Sequence, residues 1–176
     1  MSANSSSNNA SGKRHVGPKR SLASKHAVEQ AALRELAEHG WRSFSVDRVA
    51  RTAHASKQTI YRWWPRPAML VVEAAISQLA SAQDVQGSPS EKIAAIVKPL
   101  IDAVRDGDGA HLWRGVLLAA SDDDDAGEIF REWMAKTFRT PLRHILAELA
   151  NKGMIRRDWD IELAIELLLG PIWHRL

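Results

Sequence analysis

The chain has 176 residues, 45% of them apolar and 26% charged, which suits one ample folded domain or a small one fused to a larger one and excludes a mainly disordered protein. It has no cysteine, which rules out a disulfide framework, a thiolate nucleophile and a cysteine zinc site; no apolar run reaches the roughly 18 residues of a membrane span and no hydrophobic signal core opens the chain, so a cytoplasmic protein is expected. The net charge of +3 hides an asymmetry: Met1 to Pro67 carries twelve Lys and Arg against four Asp and Glu, Ala68 to Leu176 twelve against seventeen, so the N-terminal part is the one suited to a polyanion.

From the N-terminus, residues 1–12 (MSANSSSNNASG) are too polar to offset the entropy of ordering, and no fixed structure is expected. Lys13, Arg14, Lys19 and Arg20 flank Gly17-Pro18, which should break any helix, so residues 1–20 read as a flexible basic arm. Such an arm can follow phosphates or enter a minor groove, or serve only as a solubilising tail. Ser21 to His39 reads as the first helix, with Val28, Ala31, Ala32 and Leu36 inward and Gly40 as its stop. Trp41 and Phe44 should plug the junction with the next element.

Phe44 to Pro65, FSVDRVARTAHASKQTIYRWWP, reads as a helix-turn-helix. Ser45 can cap a helix whose Val46, Val49, Ala50 and Ala53 share one face. After a turn at Ala53 to Ala55, Ser56 can cap a second helix in which Ile60 points inward with Ala55, leaving Lys57, Gln58, Thr59, Tyr61 and Arg62 outward. Lys and Gln suit base edges, Thr can bond a base or meet a thymine methyl, and Ser, Tyr and Arg can hold phosphates.

At Gly40 to Leu70, GWRSFSVDRVARTAHASKQTIYRWWPRPAML, the chain resembles the DNA-binding region of the tetracycline-repressor (TetR) family of bacterial transcription regulators. The shared pattern is Gly40 plus an aromatic, Phe44-Ser45-Val46, Val49-Ala50, Ser56-Lys57, Thr59-Ile60-Tyr61 and Trp64-Pro65. The resemblance implies an all-α homodimer on double-stranded DNA. Each subunit would have an N-terminal three-helix DNA-binding domain (21–67) and a C-terminal helical domain (68–176) that pairs subunits and holds a small-molecule effector. It implies a DNA-binding set of Ser45, Ser56, Lys57, Gln58, Thr59, Tyr61, Arg62, Trp63 and Arg66. Three departures stand out. His54 occupies the usual turn glycine, so either it is left-handed or the turn differs. Pro67 replaces a lysine that approaches a phosphate, a charge Arg66 could supply from another direction. The third is Trp63-Trp64, where Trp64 matches the family's buried aromatic and Trp63 should lie at the protein-DNA edge.

Beyond this region the sequence predicts a fourth helix from Pro67 to about Gln83, a loop at 84–88, and a helix from Ser90 to about Asp106 kinked at Pro99 and ended by Asp106-Gly107-Asp108-Gly109. A short central helix follows at about His111 to Ala120. Ser121 to Asp125, SDDDD, lacks the alternation and distal Glu of a calcium loop and instead suits the N-terminal cap and dipole of the next helix. That helix, Ala126 to Asn151, should bend at Pro141 and stop at Lys152-Gly153, and a last one runs from the Asp160 cap to Gly170-Pro171. Family members usually continue past this point into another helix, so by resemblance the chain is truncated or its dimer is built from less. An effector pocket is expected among the kinked, short and long helices, lined by Trp113, Leu117, Trp133, Met134 and Phe138 with His111 or His144 as polar contact, and suited to an apolar or aromatic ligand.

Nothing in the sequence assembles a nucleophile with its base, a metal set or a phosphate loop, and the seven histidines have no ligand spacing, so no enzyme, cofactor or metal is expected. The reading is a sequence-specific regulator, most simply a repressor released from a palindromic operator by a ligand. The alternative is a DNA-binding protein without an effector, architectural or controlled by a protein partner.

Overall fold

The computed structural model describes residues 18–79, 87–156 and 158–175, and all regular structure among them is helical. Helix α1 (Pro18–His39) leads through a 3₁₀ turn (Trp41–Ser43) to α2 (Val46–Thr52), α3 (Lys57–Trp63) and α4 (Pro67–Gln78). Then come α5 (Pro89–Ala103), α6 (Gly107–Asp122), α7 (Asp124–Met134), a π-helical turn (Ala135–Arg139), α8 (Thr140–Asn151) and α9 (Ile161–Trp173). Side-chain caps fix most of the starts. Ser45 Oγ accepts from Arg48 N–H, Ser56 Oγ from Thr59 N–H, and Ser88 forms a capping box with Glu91. Asp106, Asp123 and Asp160 cap α6, α7 and α9 in the same way. Gly40 (φ 69°, ψ 170°) and Gly153 (φ 69°) take positive-φ backbone conformations, open to glycine, where α1 and α8 end.

Four expected boundaries are corrected. Pro18 does not break α1 but opens it, because the first helical turn needs no amide hydrogen there, so Pro18 to Arg20 belong to the helix and not to the arm; residues 1–17 lie outside those described. Gly107 and Gly109 do not close α5 but form the first turn of α6, since Asp106 Oδ1 accepts from Gly109 N–H at 2.6 Å. Ahead of Pro141 the long helix widens into the π turn, whose Thr140 N–H bonds Ala135 O; the wider turn absorbs the donor and space that proline removes. Finally, α9 runs through Gly170-Pro171 to Trp173, where Ile172 is buried and Trp173 meets Phe130 edge-on at 5.9 Å, packing that outweighs one lost backbone bond. The fourth helix ends at Gln78, and residues 80–86 lie outside those described.

Two apolar cores share two helices. The smaller joins Val28, Ala31 and Ala32 of α1 to Val46, Val49 and Ala50 of α2, Ile60 of α3, Trp64 and Leu70. The larger takes Leu33 and Leu36 of α1 and Val71, Val72 and Ala75 of α4, and packs them with Leu100, Trp113, Val116, Phe138, Leu142 and Ile165. Adjoining faces of α1 and α4 therefore serve different cores, so the helix-turn-helix unit is seated on the C-terminal bundle by its own scaffold helices. At Gly115 α6 lies close against α1, since an added Cβ there would be 3.0 Å from Leu36 Cδ1.

Candidate nucleic-acid interface

The turn between α2 and α3 is tight. Ala55 N–H bonds Ala50 O at 3.0 Å, and His54 adopts φ 50°, so the left-handed alternative is the one realised where glycine is usual. Ile60 and Trp64, each 1% exposed, anchor α3. Trp64 is further oriented by its Nε1–H, which donates to Glu73 Oε2 at 2.9 Å, and by Lys25 Nζ 5.5 Å from the ring centroid. Full burial of a side chain such as Ile60 contributes roughly 1.5–3 kcal/mol, enough to keep so short a helix in one orientation.

What this anchoring leaves outside is Lys57, Gln58, Tyr61 and Arg62, all exposed. Ser56 and Thr59 are partly committed to each other: their hydroxyls lie 2.9 Å apart and Ser56 also caps the helix. Ser45 caps α2, and Trp63 is half-buried against Trp64 with the rings 5.6 Å apart and perpendicular, so only part of it reaches the edge. Arg66 departs from expectation. Its Nε lies 3.0 Å from Asp123 Oδ2 and its terminal nitrogen pairs with Asp125, so the charge expected to replace the missing lysine at a phosphate is drawn to the start of α7. Trp41 Nε1–H donates to Asp122 Oδ2 at 2.7 Å on the same acidic segment. The carboxylates of SDDDD thus cap α7, as expected, and also hold the N-terminal unit. Because neutralised phosphates set the salt dependence, Arg62→Ala should lower the slope of log affinity against log salt by about 1, and Arg66→Ala should leave it unchanged. Salt titrations of non-specific DNA binding check both.

Two acidic residues here escaped the sequence reading. Glu35 of α1, 6% exposed, accepts from Ser45 N–H at 3.1 Å and from Arg48 Nε–H at 2.8 Å, and pairs with the Arg48 terminal nitrogen. Burial raises the Glu35 carboxyl, but the hydrogen bonds from Arg48 and Ser45 and the nearby charges of Arg48 and His39 outweigh it and hold it below the usual 4.5. Asp47, in the first turn of α2, lies 2.9 Å from Lys57 Nζ, and the two border a notch of about 290 Å³ with Ala50, Arg51 and Ala55. Their hydrogen bond and mutual charge lower the Asp47 carboxyl and raise the Lys57 ammonium. The periodicity that buries Val46, Val49 and Ala50 also turns Asp47 and Arg51 outward, and that was the available signal.

The expected pocket residues do not converge. Trp113 and Trp133 stack at 5.9 Å, Phe138 meets Trp133 edge-on at 5.2 Å, and Met134 and Phe138 are buried, so these side chains fill one another's space as core. Leu117 is half-buried; His111 and His144 are exposed. A cavity of about 570 Å³ lies instead between α4, α5 and α6, bordered by Leu79, Pro99, Leu112 and Trp113 with Gln78 and Asp102 as polar members. Of the expected set only Trp113 reaches it. A second cleft of about 420 Å³, among α1, α4 and α7, includes Trp133, Ile76 and Lys25. No helix of the described residues is long and apolar enough to cross a membrane.

Comparison with known proteins accords with this geometry. Residues 30–74 match the family described as bacterial regulatory proteins, tetR family, and residues 84–176 match the tetracyclin repressor-like C-terminal domain. The HTH-type transcriptional regulator Rv1556 of Mycobacterium tuberculosis is 30% identical over 146 residues, covering 81% of this chain and 71% of that protein. YdeS of Bacillus subtilis, also an HTH-type regulator, is 29% identical over 152 residues, 85% of this chain and 76% of its own. The DNA-binding transcriptional repressor TetR of Mycobacteroides abscessus is 28% identical over 154 residues, covering 85% and 80%. Among solved structures, Salmonella enterica GusR aligns with a TM-score of 0.67 at 18% identity over 87% of this chain and 81% of that one. Bacillus subtilis FadR in complex with stearoyl-CoA aligns at 0.66 and 20% identity, covering 84% and 82%. Both confirm the fold. A helix-turn-helix seated on a helical bundle, matched in sequence along nearly its whole described length, places this chain in a family of DNA-binding regulators and not of enzymes: it belongs to the TetR family of transcriptional regulators.

Proposed function

We propose that this chain is a cytoplasmic, sequence-specific repressor that binds a pseudo-palindromic operator as a homodimer and leaves it when a small ligand occupies the C-terminal domain. The observation that carries the reading is the face of α3, where Lys57, Gln58, Tyr61 and Arg62 stand outward over the buried anchors Ile60 and Trp64. The working division is an arm, a DNA-binding unit ending at residue 67 and a regulatory unit from 68. On α9, Leu163 and Leu167 are 56% and 69% exposed, an apolar face suited to a second copy of the chain. Two α3 helices then enter successive major grooves when their spacing matches roughly 34–36 Å or a multiple of it.

Release needs a ligand that binds better to a subunit arrangement with another spacing, since equal affinity for both shifts nothing. The cavity bordered by α4 favours a ligand at that position, because α4 also carries Leu70 of the reading-unit core. The same fold in FadR is found with stearoyl-CoA, which supports an effector with a long apolar part here. The packing of Trp113, Trp133 and Phe138 into one another favours the second reading, DNA binding without a small-molecule effector.

Selection of genomic fragments by the purified full-length protein near physiological salt tests the proposal. A repeated inverted motif supports the dimeric regulator; salt-sensitive binding to every fragment alike sinks it in favour of an architectural role. On the selected duplex, Gln58→Ala should relax base preference roughly tenfold at one position, and Tyr61→Phe should weaken binding to all sequences. Both are read by competition binding, and no change in either variant would misplace the reading face.

A further inference from the structure

An aspartate on a DNA-facing surface is unfavourable next to phosphates unless a donor meets it, and Asp47 stands on that surface. It is 58% exposed, in the first turn of α2, with its Oδ1 2.9 Å from Lys57 Nζ at the start of α3. It is the only acidic residue in α2 and α3. Its part in folding is modest: as an acid in the first turn it complements the α2 dipole and its pair with Lys57 ties α2 to α3, while the apolar side of α2 is complete with Val46, Val49 and Ala50 and the cap is Ser45.

In the major groove the donors available to a carboxylate are base amino groups, N4 of cytosine and N6 of adenine, each hydrogen-bonded within its base pair to a carbonyl oxygen. Donor and acceptor on the pair edge are therefore about 2.9 Å apart. The carboxylate oxygen and the ammonium nitrogen of Asp47 and Lys57 are an acceptor and a donor at the same separation. Two such pairs of complementary polarity can dock side by side. A C·G pair offers one donor followed by two acceptors, guanine O6 and N7, which suits one carboxylate beside an ammonium with three donors. An A·T pair offers a single acceptor on that side and then the thymine methyl, which would face the ammonium.

We propose that Asp47 and Lys57 form one composite reader of a C·G base pair, Asp47 accepting from cytosine N4 and Lys57 donating to the paired guanine. This rests on α3 and its neighbours being the DNA-contacting face. Asp47 is then a specificity determinant in the first helix of the motif and not in the recognition helix. In the free protein the pair neutralises itself, so Lys57 adds less to phosphate attraction on unmatched DNA than a lone lysine would.

The test is fragment selection with full-length wild type, Asp47→Ala and Lys57→Ala, followed by dissociation constants on the selected duplex with each of the four pairs at the affected position. Thermal melting establishes that the variants fold, as expected for an exposed pair. The wild-type motif should hold C·G at one position in each half, with the flanking positions set by other residues. Asp47→Ala and Lys57→Ala should each reduce discrimination at that same position roughly tenfold, leave the other positions intact, and be non-additive in the double variant. Uniformly tighter binding of Asp47→Ala to all four duplexes overturns the proposal, since Asp47 would then only shield Lys57. Unchanged discrimination, or loss at an A·T pair instead, also overturns it. A wild-type protein that selects no motif at all overturns the DNA-reading function beneath it, a result separable from the others because it appears before any variant is made.

Discussion

Glu35→Ala is expected to lower the stability of the protein by about 2 kcal/mol, the scale of losing charge-assisted hydrogen bonds made by a buried carboxylate to a half-exposed arginine. Glu35 is 6% exposed and joins three segments: it is part of α1, it accepts from Ser45 N–H at the entrance to α2, and it holds Arg48, whose terminal nitrogen also reaches Ser43 O. Its removal frees the start of α2 without touching any side chain that faces DNA. Thermal melts followed by circular dichroism read the loss; DNA affinity at a temperature where the variant remains folded should fall alongside, because α2 positions α3. The pH dependence follows from the direction of the shift. The folded-state carboxyl lies below its usual 4.5, so its stabilisation is complete above that value and is lost as pH falls through the folded-state pKa. Glu35→Gln should therefore flatten the acid limb of the melting profile while changing little of its shape near neutrality. An unaltered acid limb would mean that the Glu35 cluster does not form.

Gly115→Val should cost about 2 kcal/mol and weaken DNA binding beyond the unfolded fraction. The first added carbon already comes within 3.0–3.3 Å of the Leu36 side chain, and Leu36, 1% exposed, sits between the two cores with no open side to move toward. Relief must come from separating α6 and α1, and α1 carries the reading unit. Gly115→Ala should show a smaller effect of the same sign. Melting temperature and operator affinity measured together distinguish the wedge from simple unfolding. A variant that melts lower yet binds with wild-type affinity would show that the seating of α1 on α6 does not set the pose of α3.

The helix-turn-helix was legible in the sequence because cap, period and turn agreed within twenty residues: Ser45 and Ser56 cap, and Val46, Val49 and Ile60 are buried. The ambiguities were local. A Gly-Pro or Asp-Gly pair reads equally as the end of one helix or the start of the next, and for Pro18 and Asp106 the structure chose the start. What the sequence withheld was long-range. Arg66 finds Asp123 and Trp41 finds Asp122 across the two units, and Phe130 meets Trp173 from opposite parts of the C-terminal bundle. Apolar periodicity marked Trp113, Trp133 and Phe138 as inward but carried no information on whether they face a void or one another.

The wide turn at Ala135–Arg139 has a consequence for rotational phase. Met134, Phe138, Leu142 and Leu146 are all buried, spaced by four residues each. In an uninterrupted α-helix each residue advances by roughly 100°, so three such steps would carry the row roughly 120° around the axis. The extra residue held in the π turn takes up most of that drift and brings the row back into line. Deleting one residue of the turn other than Phe138 would leave an ordinary α-helix with the inner edge of α8 still facing the core, whereas closing the turn to α-helical pitch with that residue retained would rotate α8 by roughly 100°. The two halves of this rod are geared to each other by a single peptide unit.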